Sequence, residues 1–453
     1  MIQIFAPYHC KALRYVLDVV FLEFYGLRYK YQISNHKDLI IRLNSSEKSL
    51  RINLSFFDMY QEYGIDKSLI PDKKYKELEN GDQKLPVFFG KATVETKDKE
   101  TALHFDLLGF IFFVISGYEE LVVAERDKHD RFLASSSFLF QTNFLKRPLV
   151  DEYADFLWNS LVKLWPDLNK SKKNNSAKIQ VSCDVDQPID PTVASIGKTI
   201  KTSIGDVLKR GSFLLAFNRH RRYFFNKNQN FQFDHNYTFD WYMDECEKAN
   251  LKAIFYIIPS SDEPNNGYYK LSDEVIKKLL IKINERGHEI GVHSSYQTYK
   301  DRKKMNDQKN SLQEQLQSLF IEQEVIYNRQ HYLRWDASIT PKILNDSGII
   351  YDSSGSYPDY AGFKYGTSKI FSMWDWCERK KLNLKQIPLI VMDDSVLSDS
   401  YMGLDINSAH KYIKILQNEC FLHKGTYSIL WHNSNLEHSW QKQLFLSNLV
   451  FKK

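Results

Sequence analysis

From residue 178 onward the chain alternates short apolar runs with longer amphipathic stretches. IQVSC (179–183), AIFYII (253–258), HEIGV (288–292), EVIY (324–327), IIYD (349–352) and YSILW (427–431) have the length and composition of strands. Between them, residues 241–250, 271–286, 308–320 and 341–347 carry the three-and-four spacing of helices. Strands alternating with helices of this size predict a parallel sheet or a (β/α) barrel. Upstream the rhythm is different. An amphipathic stretch at 10–24 precedes strand-like runs at 27–33, 39–43 and 50–56, and helical stretches follow at 107–125 and 150–165. This half reads as mixed α and β. Its longest apolar run, 107–115 in DLLGFIFFVISGYEE, is flanked by Asp106, Glu119 and Glu120. It is far shorter than the roughly 18 residues that suggest a membrane span, so it predicts a buried core helix.

The polar, basic stretch LWPDLNKSKKNNSAK at 164–178 separates the two patterns and marks a boundary. The expected organisation is an α+β domain over 1–168, followed by an α/β domain of (β/α) barrel type over 176–453 with a basic insertion at 187–237. That insertion, with KRGSFLLAFNRHRRYFF inside it, reads as an amphipathic flap with solvated Lys and Arg, or as a contact for anionic glycan or lipid phosphate. The charged cluster ERDKHDRF at 125–132 is open to three readings: a site, a solvated loop, or salt bridges at a domain interface.

Composition narrows the function classes. The 453 residues suffice for two or three domains, and the motif positions favour two. With 61 basic and 56 acidic residues the net charge of +5 gives no global nucleic-acid signature, so no nucleic-acid partner is expected. Glycine and proline are scarce and aromatics reach 14%, which fits an ordered globular protein whose rings suit sugar-shaped ligands. The five cysteines are scattered with no C-x-x-C pair, which argues against a disulfide framework or a thiolate zinc site. The start, MIQIFAPYHCKALRY, lacks the layout of a signal peptide. A cytoplasmic location is therefore expected.

Four of the downstream strands end in chemically capable residues: IQVSC in Asp184 and Asp186, HEIGV in His293, EVIYN in Arg329 and His331, and YSILW in His432. In a parallel sheet or barrel the C-terminal ends of strands lie at one face, so these residues converge. Alternation along an extended chain lets Asp184 and Asp186 share a side and turns Cys183 away; His288, five residues before His293, also faces away and is read as structural. Two carboxylates with two imidazoles are ligands suited to a divalent cation, zinc above all, with one position left for water. Trp335, Tyr332, Tyr296 and Tyr299 are close enough in sequence to stack on a sugar, and Asp352 and the stretch GFKYGTS at 362–368 are candidates to hold a substrate hydroxyl or acyl group; core packing or an ordinary loop is the competing reading for each.

GHEIGVHSS resembles the second motif of the polysaccharide deacetylase (NodB homology) superfamily. CDVDQP is similar to its first motif, NRQHYLRW stands in the place of its arginine motif, and ILWHN resembles its late Leu-x-His motif; together they cover residues 178–435 in the superfamily's order. The N-terminal half, through FFVISGYEEL and DKHDRF, resembles an uncharacterised domain that precedes some bacterial deacetylase-like domains. The resemblance implies a distorted (β/α) barrel, a carbohydrate or glycoconjugate substrate, and metal-assisted removal of an acetyl group from an amino sugar. It implies Asp184 as general base, Arg329 as the group orienting it, Asp186 and His293 as metal ligands, and His432 as general acid. The sequence departs from the superfamily four residues after His293, where a second ligand His is usual and Gln297 stands, a neutral amide and a poor zinc ligand. Three arrangements stay open: His331 as third ligand, a weak or absent metal site, or a metal held by Asp184, Asp186 and His293. The same departure leaves open a catalytically silent barrel that binds glycan. A metal-free hydrolase using Asp184 and Asp186 as an acid and base pair is disfavoured, because carboxylates two apart on one strand are poorly placed to flank a scissile bond.

Overall fold

The computed structural model describes residues 1–44, 46–80, 83–171, 176–260 and 265–450. The first eight strands are β1 (Ile2–Ala6), β2 (Tyr29–Ile33), β3 (Leu39–Leu43), β4 (Ser49–Ile52), β5 (Lys76–Asn80), β6 (Gln83–Val87), β7 (Gly90–Lys97) and β8 (Glu100–Phe105). Six of them form a mixed sheet in the order β2-β1-β3-β4-β8-β7, and β5 pairs with β6 in a hairpin. The amphipathic stretch at 10–24 is the helix Lys11–Leu17 continued by wider π-helical turns over Asp18–Phe24. The expected strand at 50–56 ends at Ile52, because helix Ser55–Tyr63 begins three residues later. Every residue of helix Leu107–Ile115 is buried, as its apolar run predicts. Asp106 starts that helix: its Oδ1 accepts from Gly109 N (2.7 Å) and its Oδ2 from Phe56 N (3.0 Å). Burial outweighs these backbone donors and pushes the Asp106 carboxyl up to about 7. Gly117, at φ 67°, ends the predicted 107–125 helix early, and Tyr118–Val122 follows as a separate turn.

The second sheet has nine strands: β9 (Lys178–Val185), β10 (Ala253–Ile257), β11 (Glu289–Ser294), β12 (Tyr327–Gln330), β13 (Tyr351–Asp352), β14 (Phe371–Asp375), β15 (Lys380–Gln386), β16 (Val391–Met392) and β17 (Thr426–Leu430). Their order is β14-β15-β13-β12-β11-β10-β9-β17-β16, parallel throughout except for the β14–β15 hairpin. No pairing joins β14 to β16 among the described residues, so the barrel-like sheet is open at that seam. The central strands β9, β10, β11 and β17 are buried along most or all of their length, which is why they read as continuous apolar runs. The predicted strand at 324–327 pairs three residues later, at 327–330. Asn328 and Arg329 are polar yet buried within it, so the apolar pattern ends before the strand does.

Side chains from both sheets join one continuous hydrophobic core. Part of the polar boundary stretch, 172–175, lies outside the described residues. Across the contact between the halves, His423 Nδ1 is 2.7 Å from Asp155 Oδ2, and Lys170 also reaches Asp155 (3.1 Å). Burial alone would lower the His423 imidazole, but the bond to Asp155 and the nearby Asp151 outweigh it and raise it above its ordinary value. A raised histidine contributes stability that is present below about pH 6.5 and is lost as pH climbs through the raised value. Asp155→Asn is therefore expected to cost about 1–2 kcal/mol at pH 6 and less at pH 9, read by urea unfolding at the two pH values. An equal cost at both would show that the imidazolium is not part of the contact.

Candidate active site

The C-terminal ends of β9, β11, β12 and β17 open onto one cleft of about 240 Å³, whose walls include Asp184, Asp186, His293, His331 and His432. Five of the six residues expected to carry the chemistry thus share one cavity, and the sixth, Arg329, stands directly behind Asp184. His293 Nε2 lies 3.2 Å from Asp186 Oδ1 and 3.5 Å from Asp184 Oδ2. His331 Nε2 is 3.7 Å from the same Asp186 Oδ1. One donor atom from each of Asp186, His293 and His331 falls within 4.8 Å of the others. His293 Nδ1 is 2.9 Å from the backbone carbonyl of Arg329. A carbonyl only accepts, so Nδ1 carries the proton and the lone pair of a neutral ring sits on Nε2, aimed at the carboxylates. Desolvation works to raise the Asp186 carboxyl, but the imidazoles of His331 and His293 outweigh it and hold the group well below its usual range.

Arg329 is almost completely buried. Its Nε lies 3.5 Å from Asp184 Oδ1, and its Nη2 donates to Ser182 Oγ (2.8 Å) and Ser353 Oγ (3.0 Å). The guanidinium packs 4.7 Å from the centre of the Tyr256 ring. That ring explains the glycine of HEIGV: a Cβ at Gly291 would come within 2.6 Å of Tyr256, so only glycine lets the ring lie under the arginine. Asp184 itself is buried, with Arg329 on one side and His293 on the other.

His432 is held by a residue that the sequence pattern did not single out. Its Nδ1 lies 2.7 Å from Asp393 Oδ1, and its backbone N–H donates to Asp393 Oδ2 (2.8 Å). Burial alone would push the imidazole down, yet Asp393 and Asp394 hold it well above its ordinary value. Its Nε2 faces the cleft, 3.8 Å from Asp186 Oδ2. Asp393, Asp394 and His432 also cluster closely enough to hold a cation. The Asp393 oxygens are already engaged by His432 and by Asn435 Nδ2 (2.9 Å), which makes this group a positioning device for His432.

Other expectations are corrected. Trp335 is buried in the hydrophobic core and is not on the cleft wall. Asp352 is fully buried, and its carboxylate is occupied by Asn328 Nδ2 (2.7 Å) and by Ser354. Tyr296 is not part of the wall either: its hydroxyl meets His129 Nδ1 (3.0 Å) and its ring carries Arg334 at 3.8 Å. Tyr332 does line the cleft. Gln297 is exposed, while His331 occupies the position facing Asp186. His288 points away from the cleft and its Nδ1 accepts from Ala253 N (3.0 Å).

The sequence motifs do not point to Asp393, Asp394, Tyr401 or Met392, all close to the site, and Arg131 joins them there. Arg131 belongs to the charged cluster at 125–132. It is held by Asp127 (2.7 Å) and donates to the carbonyl of Tyr332 (3.2 Å), while Asp130 accepts from Tyr299 and Lys300. That cluster is thus an interface network, with one arginine on the cleft wall. Tyr332 and Leu333, also on the wall, both adopt positive φ, at 62° and 55°. Two consecutive non-glycine residues in this region store strain beside the candidate ligand His331.

A family of unknown function, DUF7033, matches residues 2–166. No curated protein matches the sequence. Among solved structures, the chain is similar to a Mycobacterium smegmatis protein designated a polysaccharide deacetylase, at 12% identity and a TM-score of 0.39 over 62% of this chain and 84% of the other. It is also similar to Puue allantoinase, at 10% identity and a TM-score of 0.35 over 60% and 82% of the two chains. Likeness at this level carries no inference about chemistry. No helix among the described residues is long and apolar enough to cross a membrane.

Proposed function

We propose that this chain is a metal-dependent hydrolase that removes an acetyl group from an amino sugar in a polysaccharide or glycoconjugate. Residues 176–453 would act as a distorted (β/α) barrel domain and residues 1–168 as a smaller α+β domain. The observation that carries the reading is the meeting of Asp186 Oδ1 with the Nε2 atoms of His293 and His331, on three separate strand ends. The donor set fits a divalent cation. Asp186 Oδ1 is buried without a well-formed hydrogen bond, two imidazole nitrogens face it, and the His293 tautomer is fixed by a carbonyl on its far side. We take the ion as zinc, held by Asp186, His293 and His331 with Gln297 taking no part. When bound, such a cation supplies positive charge that polarises an acyl oxygen and acidifies water.

The remaining roles fall to the chain's own groups. Asp184, held by Arg329, takes the proton from the attacking water as general base. His432, held by Asp393 with Nε2 toward the cleft, gives a proton to the departing amine. Arg329 keeps the Asp184 carboxylate oriented without touching substrate. We place the protein in the cytoplasm, a reading supported by five cysteines that are all unpaired. The test is acetate release from N-acetylated amino-sugar oligomers. Exhaustive chelation is expected to abolish turnover and added zinc to restore it. Full turnover after chelation would refute the metal-dependent reading.

A further inference from the structure

The basic insertion after Asp186 folds as two packed helices, Ile196–Leu208 and Phe213–Lys227, and its amphipathicity is inside out. The buried positions are Thr199, Ser203 and Asp206 on the first helix and Ala216 and Arg219 on the second. Inside, Arg219 pairs with Asp206 (2.8 Å) and Asp190 (3.4 Å), so this arginine is not the solvated flap charge that the sequence suggested. Outside, Ile196, Ile200, Ile204 and Leu208 form a stripe at four-residue spacing that is 47–78% exposed. The second helix is exposed in the same way, with Phe213 at 76%, Leu214 at 67%, Phe217 at 65% and Phe224 at 62%. A helix pair in water normally turns such a stripe inward, and a contiguous exposed apolar patch marks an interaction surface. Elsewhere among the described residues, exposed large apolar side chains are scattered in ones and twos.

We propose that this hairpin docks on the surface of an anionic lipid bilayer. Charge selects the occupant. Lys198, Lys201, Lys209, Arg210, Arg221 and Lys227 are all exposed on the two helices and the turn between them. The acidic residues of the insertion, Asp190, Asp206 and Asp234, are buried and engaged by its own side chains and backbone. An exposed apolar stripe on a hairpin whose exposed acidic and basic side chains are all basic complements acyl chains and anionic headgroups. A second copy placed face to face would set these cations against one another. The helices have 13 and 15 residues, about 20 and 22 Å at 1.5 Å per residue, against a hydrocarbon core of roughly 30 Å. They are suited to lying in the interface, not to spanning it.

The hairpin is rooted at the cleft. Asn433, next to His432, donates to the carbonyls of Gln187 (2.9 Å) and Asn236 (2.7 Å), the two ends of the insertion. Docking therefore tethers the catalytic half of the chain to the bilayer through a segment anchored beside His432.

The test is flotation of the full chain with phosphatidylcholine vesicles, with or without 30 mol% phosphatidylglycerol, at low and high salt. We expect binding to the anionic vesicles that weakens with salt, and little binding to phosphatidylcholine alone. A double Ile204→Asp, Phe217→Asp variant is expected to lose at least about tenfold in binding, because charge replaces buried apolar area. Its melting temperature and its acetate release from a soluble oligomer should stay unchanged, since neither residue touches the cleft. Lys201→Glu with Lys209→Glu should weaken binding to anionic vesicles as well. The proposal is overturned by wild-type protein that does not float with anionic vesicles, by equal binding to both vesicle types, or by a double variant that binds like wild type. A dimer that the double variant dissociates, without vesicle binding, would assign the face to a second copy.

Discussion

Asp184→Asn is expected to reduce acetate release by roughly 10²–10⁴-fold, the range lost when a positioned general base is removed. The substitution preserves volume and leaves an amide that cannot take a proton at neutral pH. It also leaves Arg329 facing a neutral group in a buried pocket, which would be severe if the arginine had no other partner. Arg329 keeps its bonds to Ser182 and Ser353 and its place on the Tyr256 ring, so the fold should survive at a cost of about 1–3 kcal/mol. The paired measurements are acetate release and thermal melting by circular dichroism. A folded variant turning over within tenfold of wild type would remove Asp184 from the chemistry.

The second large effect is expected at Asp393. Asp393→Ala takes away the carboxylate that meets both the ring Nδ1 and the backbone N–H of His432. The imidazole then loses its orientation and the charge that keeps it protonated, and the leaving amine loses its proton donor. The loss should appear in kcat, by roughly 10²–10³-fold, with KM changed by less than about threefold, because Asp393 acts through His432 and not on bound substrate. Asp393→Glu should recover part of the rate. A parallel fall in stability with kcat unchanged would mark Asp393 as purely structural.

The strands that present the site were readable because they are buried in a parallel sheet, so IQVSC, AIFYII, HEIGV and YSILW stand out as apolar runs with polar residues at their ends. Convergence followed from the rule that parallel strands end at one face. Asp393 is legible by the same rule, since the buried apolar run IPLIVM at 387–392 ends in Asp393 and Asp394, although only two residues of that run pair as β16. The N-terminal β7 is not legible: it is largely exposed, and GKATVETK carries no buried stripe. Arg131 meets Tyr332 across 201 residues of sequence, a pairing that no local pattern encodes. Trp335 and Tyr296 are near the motifs in sequence, and Asp352 ends the strand-like run IIYD. Burial and competing hydrogen bonds, which depend on the tertiary fold, take them off the cleft wall.

Gln297 is the sharpest departure from the motif pattern, and the geometry offers His331 in its stead. The claim that Asp186, His293 and His331 form a metal centre is open to direct measurement on protein purified with zinc present and then dialysed. One equivalent of metal per chain is expected in wild type and in Gln297→Ala, and little or none in His293→Ala and His331→Ala, with all four proteins folded. Full metal content in His331→Ala, or none in folded wild type, would contradict it.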